Sequence, residues 1–447
     1  MKNLLLSSMI LLSFCAFSSC TDKCTETRIV KKKVAILHPI ANLRISVRAL
    51  PARQLSNPGK IYVKDNCLYI NEIKEGIHVI DNSDPSNPKQ LSFINIPGNG
   101  DIAIRGNILY ADSYSDLVSI DVRDPGNAYE VGRRKNVFSY GQFNGEPWSV
   151  QKMPDGQDAL FLQEYTTDFV TETVETSCED VREPVDPDIT MELNTGNTSG
   201  KAGSMSRFAL YDKYLYIVGN WHLNLFDISN PAQPVDFSTV IIGMNIETIF
   251  PYKDKLFLGT TTGMVILDNS DPSAPKQVSV YVHGTACDPV VVQDDTAYVT
   301  LRSGNFCRNN LDQLDVINIA DASKPELVKT YPMENPHGLS IDQSTLYLCE
   351  GDKGFKVFDV KDKMAIDKHL LSFKKDMGAY DVISMGTTVM VVGKNGLYQF
   401  DASDPKNLKE LSRILVTKSE LYELFHSFSD KFVEKGYNLF KIRGVLG

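Results

Sequence analysis

Two stretches of this chain repeat one another closely: GIHVIDNSDPSNPKQLSFINIPG, from Gly76 to Gly98, and GMVILDNSDPSAPKQVSVYVHG, from Gly263 to Gly284. Each reads as an apolar β-rich run, a turn of Asp, Asn, Ser and Pro, and a second run. One such unit cannot bury both of its faces, so copies must stack on one another. Similar packing problems then select similar residues at each copy. In the turn, Asp and Asn can bond nearby backbone, while Pro fixes φ and stops further pairing.

The rest of the chain follows the same plan. Hairpin openings recur as KIYVKDNCLYI, DIAIRGNILYA, RFALYDKYLYIV, ETIFPYKDKLFLG, DPVVVQDDTAYVT, HGLSIDQSTLYLC and DVISMGTTVMVVG. After each comes a third strand ending in Asp or Asn, at Asp81, Asp121, Asp227, Asp268, Asn318, Asp359 and Asp401, and then a turn and a fourth strand. Four strands in roughly 40 to 50 residues is the period of a β-propeller blade. The fold class expected is therefore all-β, a propeller of four-stranded antiparallel blades. Between Asp121 and Asp227 there is room for one more, and Pro147 to Tyr165 reads as its opening hairpin. The expected count is eight, with seven as the alternative. The tail ELFHSFSDKFVEKGYNLFKI and the segment RISVRALPARQL offer strands that could close the open edges.

The pattern GIHVIDNSDP, LVSIDVRDP and GMVILDNSDP resembles the LVIVD repeat of bacterial and archaeal propeller proteins. CDPVVVQDDTAYVTLRSGNFC with the following PHGLSIDQSTLYLCEGDKGFKVFD is especially similar to LVIVD lipoproteins of the Bacteroidetes. The resemblance spans about residues 60 to 415. It implies the architecture and carries over no substrate, cofactor or catalytic residue. LDVINIADASKP and FKVFDVKDKMAID depart from the turn pattern, which affects local turn geometry alone.

The N-terminus MKNLLLSSMILLSFCAFSSC has one Lys, an apolar run and small residues before a Cys, as a secretory signal does. Phe17 to Cys20 resembles the lipobox of bacterial lipoproteins. That resemblance implies lipidation of Cys20 and anchoring of the exported protein to a membrane, with the outer membrane expected. Residues 1–19 are then the signal peptide, 20–45 a polar tether, and 46–447 one propeller domain with a long insertion at about 166–203. Export allows disulfides, and Cys287 and Cys307 bracket one hairpin as the best candidate pair. A net charge of −10, with no basic block beyond Lys31 to Lys33, argues against nucleic acid as a partner.

For chemistry, fold-level analogy points to the central channel. The residues entering successive inner strands are Lys60, Asp101, Arg207, Glu247, Asp288, His337 and Asp381. Such a ring could bind a sugar, a cation or a peptide, or its members could simply pair within a solvated funnel. His337 is the best candidate base, with Asp288 or Asp381 as neighbour. The Asp-Asn-Ser-Asp turns place oxygens as calcium loops do, but Asx turns already explain them. Trp148 and Trp221 could offer ring faces to a sugar or partner. No phosphate loop, nucleophile elbow or His-Glu-x-x-His motif occurs. The expectation is a non-catalytic envelope propeller that binds a protein or glycan and needs no cofactor or metal. The alternative is an envelope hydrolase or lyase working from the channel.

Overall fold

The computed structural model describes residues 23–143, 146–177, 204–205, 207–219, 221–284, 289–302 and 312–416. Seven antiparallel units of four strands follow one another along the chain. Their innermost strands are Pro58–Lys64, Ile102–Arg105, Phe208–Tyr211, Ile246–Tyr252, Val290–Gln293, Leu339–Asp342 and Asp381–Met385. These strands touch in that order, and Asp381–Met385 returns to Pro58–Lys64, so the ring closes on seven sheets.

Apolar side chains explain the stacking. Leu225 and Val218 of the third sheet meet Leu258 and Val265 of the fourth, and comparable clusters join the other neighbours. At the seam between the ends of the chain, Leu68 and Ile70 pack with Ile383, Val392 and Leu397, all essentially without exposure. Burial on this scale, at about 25 cal/mol per Å² of apolar surface, is what holds units that could not stand alone.

In all seven sheets the pairing of third and fourth strands slips by a residue just before the turn, as between Val79 and Ile80 or Gln399 and Phe400. A bulge there adds right-handed twist, as a blade fanning outward requires. Gly76 opens a third strand at φ 143°, and a Cβ on it would lie 2.0 Å from the carbonyl oxygen of Ile94. Only glycine fits that start.

The repeated turns are Asx turns with a second task. Asp81 Oδ1 accepts from the backbone and hydroxyl of Ser83 at 2.9 and 2.6 Å, and Asp268 does the same with Ser270 at 3.0 and 2.6 Å. These bonds, the hydroxyl's first, hold the Asp268 carboxyl down at about 2. The carbonyl just after the second Asp is a docking point for the preceding sheet. Ser412 donates to Pro85 O, Ser92 to Pro125 O, Tyr216 to Pro272 O, Ser279 to Ala322 O and Tyr331 to Lys363 O.

An eighth four-stranded sheet exists, but it stands outside the ring. The expected extra hairpin, Glu146–Lys152 with Asp158–Ser177, pairs with Tyr140–Phe143 on one side and Lys23–Pro39 on the other. Among the described residues the ring thus holds seven sheets, the alternative count, and the segment expected as a polar tether, 20–45, contributes a strand from Lys23 to Pro39. Residues 166–177 of the expected insertion belong to the same sheet, while 178–203 lie outside the described residues. This sheet is fixed to the ring by Ile40, Phe143, Trp148 and Leu160, which form one buried cluster. The segment RISVRALPARQL supplies Arg48–Pro51, which bridges the outer strands of the first and second sheets rather than completing a blade. Cys20, Cys287, Cys307 and the tail from 417 lie outside the described residues.

Candidate functional site

In an antiparallel hairpin the start of the first strand lies beside the end of the second. Each blade therefore brings two short segments to the same end of the channel. Buried carboxylates fix the loops there. Glu72, at the end of a second strand, accepts the backbone N–H of Ser56 at 3.1 Å and of Asn57, and lies 2.7 Å from His78 Nε2. Burial pushes its carboxyl up, but these bonds outweigh that and leave it below its ordinary range. Glu350 holds Glu334 and Asn335 in the same way, and Asp112 holds Gly100 and Asp101 at 2.8 Å.

These loops surround a cavity of about 430 Å³, lined among others by Lys60, Asn71, Arg302, His337, Tyr380 and Asp381, with Phe143 of the outlying sheet on one side. Its volume falls in the range of small-molecule sites. Five residues expected at the channel entrance are gathered here or next to it: Lys60, His337 and Asp381 line the cavity, and Asp101 and Arg207 lie beside Lys60. Lys60 Nζ lies 2.7 Å from Asp101 Oδ2, and both are buried. Arg207 donates its backbone N–H to the same oxygen at 3.3 Å, and its side chain donates to Val218 O at 3.1 Å. Burial pushes Asp101 up to about 7 against the pull of Lys60, and burial also lowers Lys60. Lys60 and Asp101 thus form a buried ion pair, while the Arg207 side chain bonds Val218 O and keeps its Nε without a hydrogen-bond partner among the described residues.

Asp381 differs. It is 1% exposed, its Oδ1 accepts the Val382 N–H at 3.0 Å, and its Oδ2 has no hydrogen-bond partner among the described residues. Burial raises its carboxyl to about 7. Glu247 is buried at the start of its strand; burial lowers the pKa of Arg302, and the Glu247 charge works against that lowering. Asp288 lies outside the described residues.

His337 is held on both ring nitrogens. Nδ1 lies 2.9 Å from the carbonyl oxygen of Asn335, which can only accept, so Nδ1 carries the proton. Nε2 then accepts from Arg302 Nη1 at 2.9 Å. Tyr380 stacks on the imidazole with centroids 5.3 Å apart. Burial first, and then the Arg302 charge, lower its pKa to about 3. The ring is therefore neutral at neutral pH, and the lone pair a base would need is occupied.

Arg302 was not among the residues expected from the sequence. It follows a second strand, Thr296–Leu301, and the analogous position Lys394 follows Thr388–Gly393. A charged residue after an otherwise apolar YVTL or MVVG run was the signal. Trp148 packs edge-on to Tyr114 at 5.6 Å and is 5% exposed, so it anchors the outlying sheet instead of offering a free face. Trp221 is 57% exposed.

Seven radial four-stranded sheets around a central cavity define a β-propeller. Its blades carry LVIVD repeats: the family model of that name matches residues 57–94, 99–135, 202–240 and 257–282. No curated protein sequence matches the chain. Among solved structures it is similar to the periplasmic gluconolactonase PpgL of Pseudomonas aeruginosa, with 10% identity, a TM-score of 0.49, and coverage of 83% of this chain and 96% of that one. BamB of Moraxella catarrhalis gives 9% identity, a TM-score of 0.40, and coverage of 84% and 97%. PorZ of Porphyromonas gingivalis, a surface component of the type-IX secretion system, gives 11%, 0.45, and coverage of 83% and 39%. The sheets and repeats themselves, rather than these likenesses, carry the fold.

Proposed function

We propose that this chain is an exported envelope lipoprotein, anchored through Cys20, whose propeller binds a glycan or protein partner at the channel mouth without transforming it. The observation that carries the reading is the double engagement of His337. The candidate base points its proton at Asn335 O and its lone pair at Arg302, and so is neutral and occupied. A cavity with fixed polar walls remains, suited to recognition. Export rests on the signal-like residues 1–19, and lipid anchoring on the FSSC tetrapeptide ending at Cys20. No helix among the described residues is long and apolar enough to cross a membrane.

The enzymatic alternative has one observation in its favour. Asp381, which lines the cavity, has a buried oxygen without a hydrogen-bond partner among the described residues and a carboxyl raised to about 7, the character of a general acid. Thermal unfolding of the full chain across a panel of mono- and oligosaccharides, with product formation followed by NMR, separates the two. A raised midpoint with intact ligand supports binding. Ligand turnover abolished by Asp381→Asn or His337→Gln would replace it with catalysis.

A further inference from the structure

Three features of the cavity constrain what can occupy it. The first is charge. Lys60 is satisfied by Asp101 at 2.7 Å, whereas Arg302 makes one hydrogen bond among the described residues, from Nη1 to a neutral histidine. Burial lowers the Arg302 pKa, and the charges of Glu247 and Asp312 act against that lowering, so the guanidinium stays protonated. Its remaining N–H groups suit the fork of a carboxylate, which two parallel bonds can hold. Lys394 at the rim adds a second positive charge, shared with Asp352 at 3.6 Å.

The second is the orphaned oxygen. Asp381 is one of the residues that line the same cavity, and its buried Oδ2 has no hydrogen-bond partner among the described residues, a costly arrangement that a ligand donor would relieve. Gly338 allows this placement, since a Cβ there would lie 2.5 Å from Asp381 Oδ1. A hydroxyl is the natural donor. The third is the walls: the rings of Tyr380 and Phe143 line the cavity, and flat apolar faces suit the C–H face of a pyranose. A bare carboxylate such as acetate would fill little of about 430 Å³.

We propose that the cavity binds a hexuronic acid unit, its carboxylate on Arg302, a ring hydroxyl on Asp381 Oδ2, and its apolar face against Tyr380 or Phe143. This rests on the binding reading above and gives it a ligand class.

Isothermal titration of the full chain with galacturonate and glucuronate, against galactose, glucose and acetate, tests it. Binding of at least one uronate, about tenfold or more tighter than its neutral sugar and than acetate, is the expected result. Arg302→Lys keeps the charge but loses the fork, and should weaken uronate binding about tenfold. Asp381→Asn removes the acceptor oxygen or turns it into a donor, and should also weaken it. No heat with either uronate would overturn the proposal. So would equal affinity for the neutral sugar, or wild-type affinity in both variants. Neutral-sugar binding would defeat the uronate class while leaving the binding reading intact. Product found by NMR in the titrated samples would defeat the non-catalytic reading whatever the ligand class. The ligand comparison on the unaltered chain stands even if a variant fails to fold.

Discussion

Arg302 Nη1 lies 2.9 Å from His337 Nε2, so this histidine of the cavity wall has its lone pair filled by a cation that cannot return a proton. An acid–base catalyst would be arranged the other way, with a carboxylate on one nitrogen and open space at the other. If the guanidinium is replaced in Arg302→Gln, the pKa of His337 should rise from about 3 toward the ordinary 6.5. It should stop short of that value, because burial is the larger cause of its depression. NMR titration of the imidazole protons checks this, and an unmoved midpoint would contradict it.

Asp381 should impose a pH dependence on stability. Its carboxyl is raised to about 7 from 3.8, so between those values the folded chain holds a proton that the unfolded chain does not. Its contribution is present below about pH 4 and lost as the pH rises through about 7. Asp101, also raised to about 7, acts in the same sense. His337, lowered to about 3, acts oppositely: its contribution is present above 6.5 and lost as the pH falls. Asp381→Asn removes one component, so the melting point of the variant relative to wild type should climb from pH 5 to pH 8. A constant difference across that range would contradict the assignment.

Closure of the ring depends on a contact between sequence-distant residues. Gln399, fully buried, exchanges amide hydrogen bonds with Asn82 at 2.7 and 2.9 Å, and Ser412 adds a bond to Pro85 O at 2.6 Å. Gln399→Ala leaves buried polar groups unpaired and should cost about 2 kcal/mol of unfolding free energy. Urea denaturation measures it, and a loss near zero would mean that the seam does not rely on this contact.

The two tryptophans report on the outlying sheet. Trp148 is 5% exposed and Trp221 57%. Trp221→Phe should therefore leave a blue-shifted emission that acrylamide quenches poorly, whereas Trp148→Phe should leave a red-shifted, readily quenched one. Trp148→Ala should also destabilise the chain by about 3 to 5 kcal/mol through the lost ring and the void it leaves. The reverse quenching pattern would show that the sheet is not seated on the ring.

The strand plan was legible because each blade is built from neighbouring segments. All seven third strands end at the residues expected, from Asp81 to Asp401. What misled the count was a long-range pairing. Lys23–Pro39 is polar and charged enough to look like a tether, and its partner, Asp158–Ser177, lies far along the chain. No local pattern announces such a partnership. At the site, following the first residues of the inner strands leads to Lys60, Asp101, Arg207, His337 and Asp381, which lie in or beside the cavity. Arg302 was missed because it follows a second strand, which antiparallel pairing returns to the same end of the channel. Sequence also offered no way to tell that Lys60 and Asp101 pair with one another while Asp381 keeps a buried oxygen without a hydrogen-bond partner among the described residues.

The most direct measurement is the protonation state of His337 in the intact chain, read by NMR between pH 5 and pH 8 and assigned by loss of the signal in His337→Gln. A binding site with no available base requires a ring that stays neutral throughout, with its proton on Nδ1. An imidazole that titrates near 6.5, or carries its proton on Nε2, would return His337 to the role of base and contradict the non-catalytic reading.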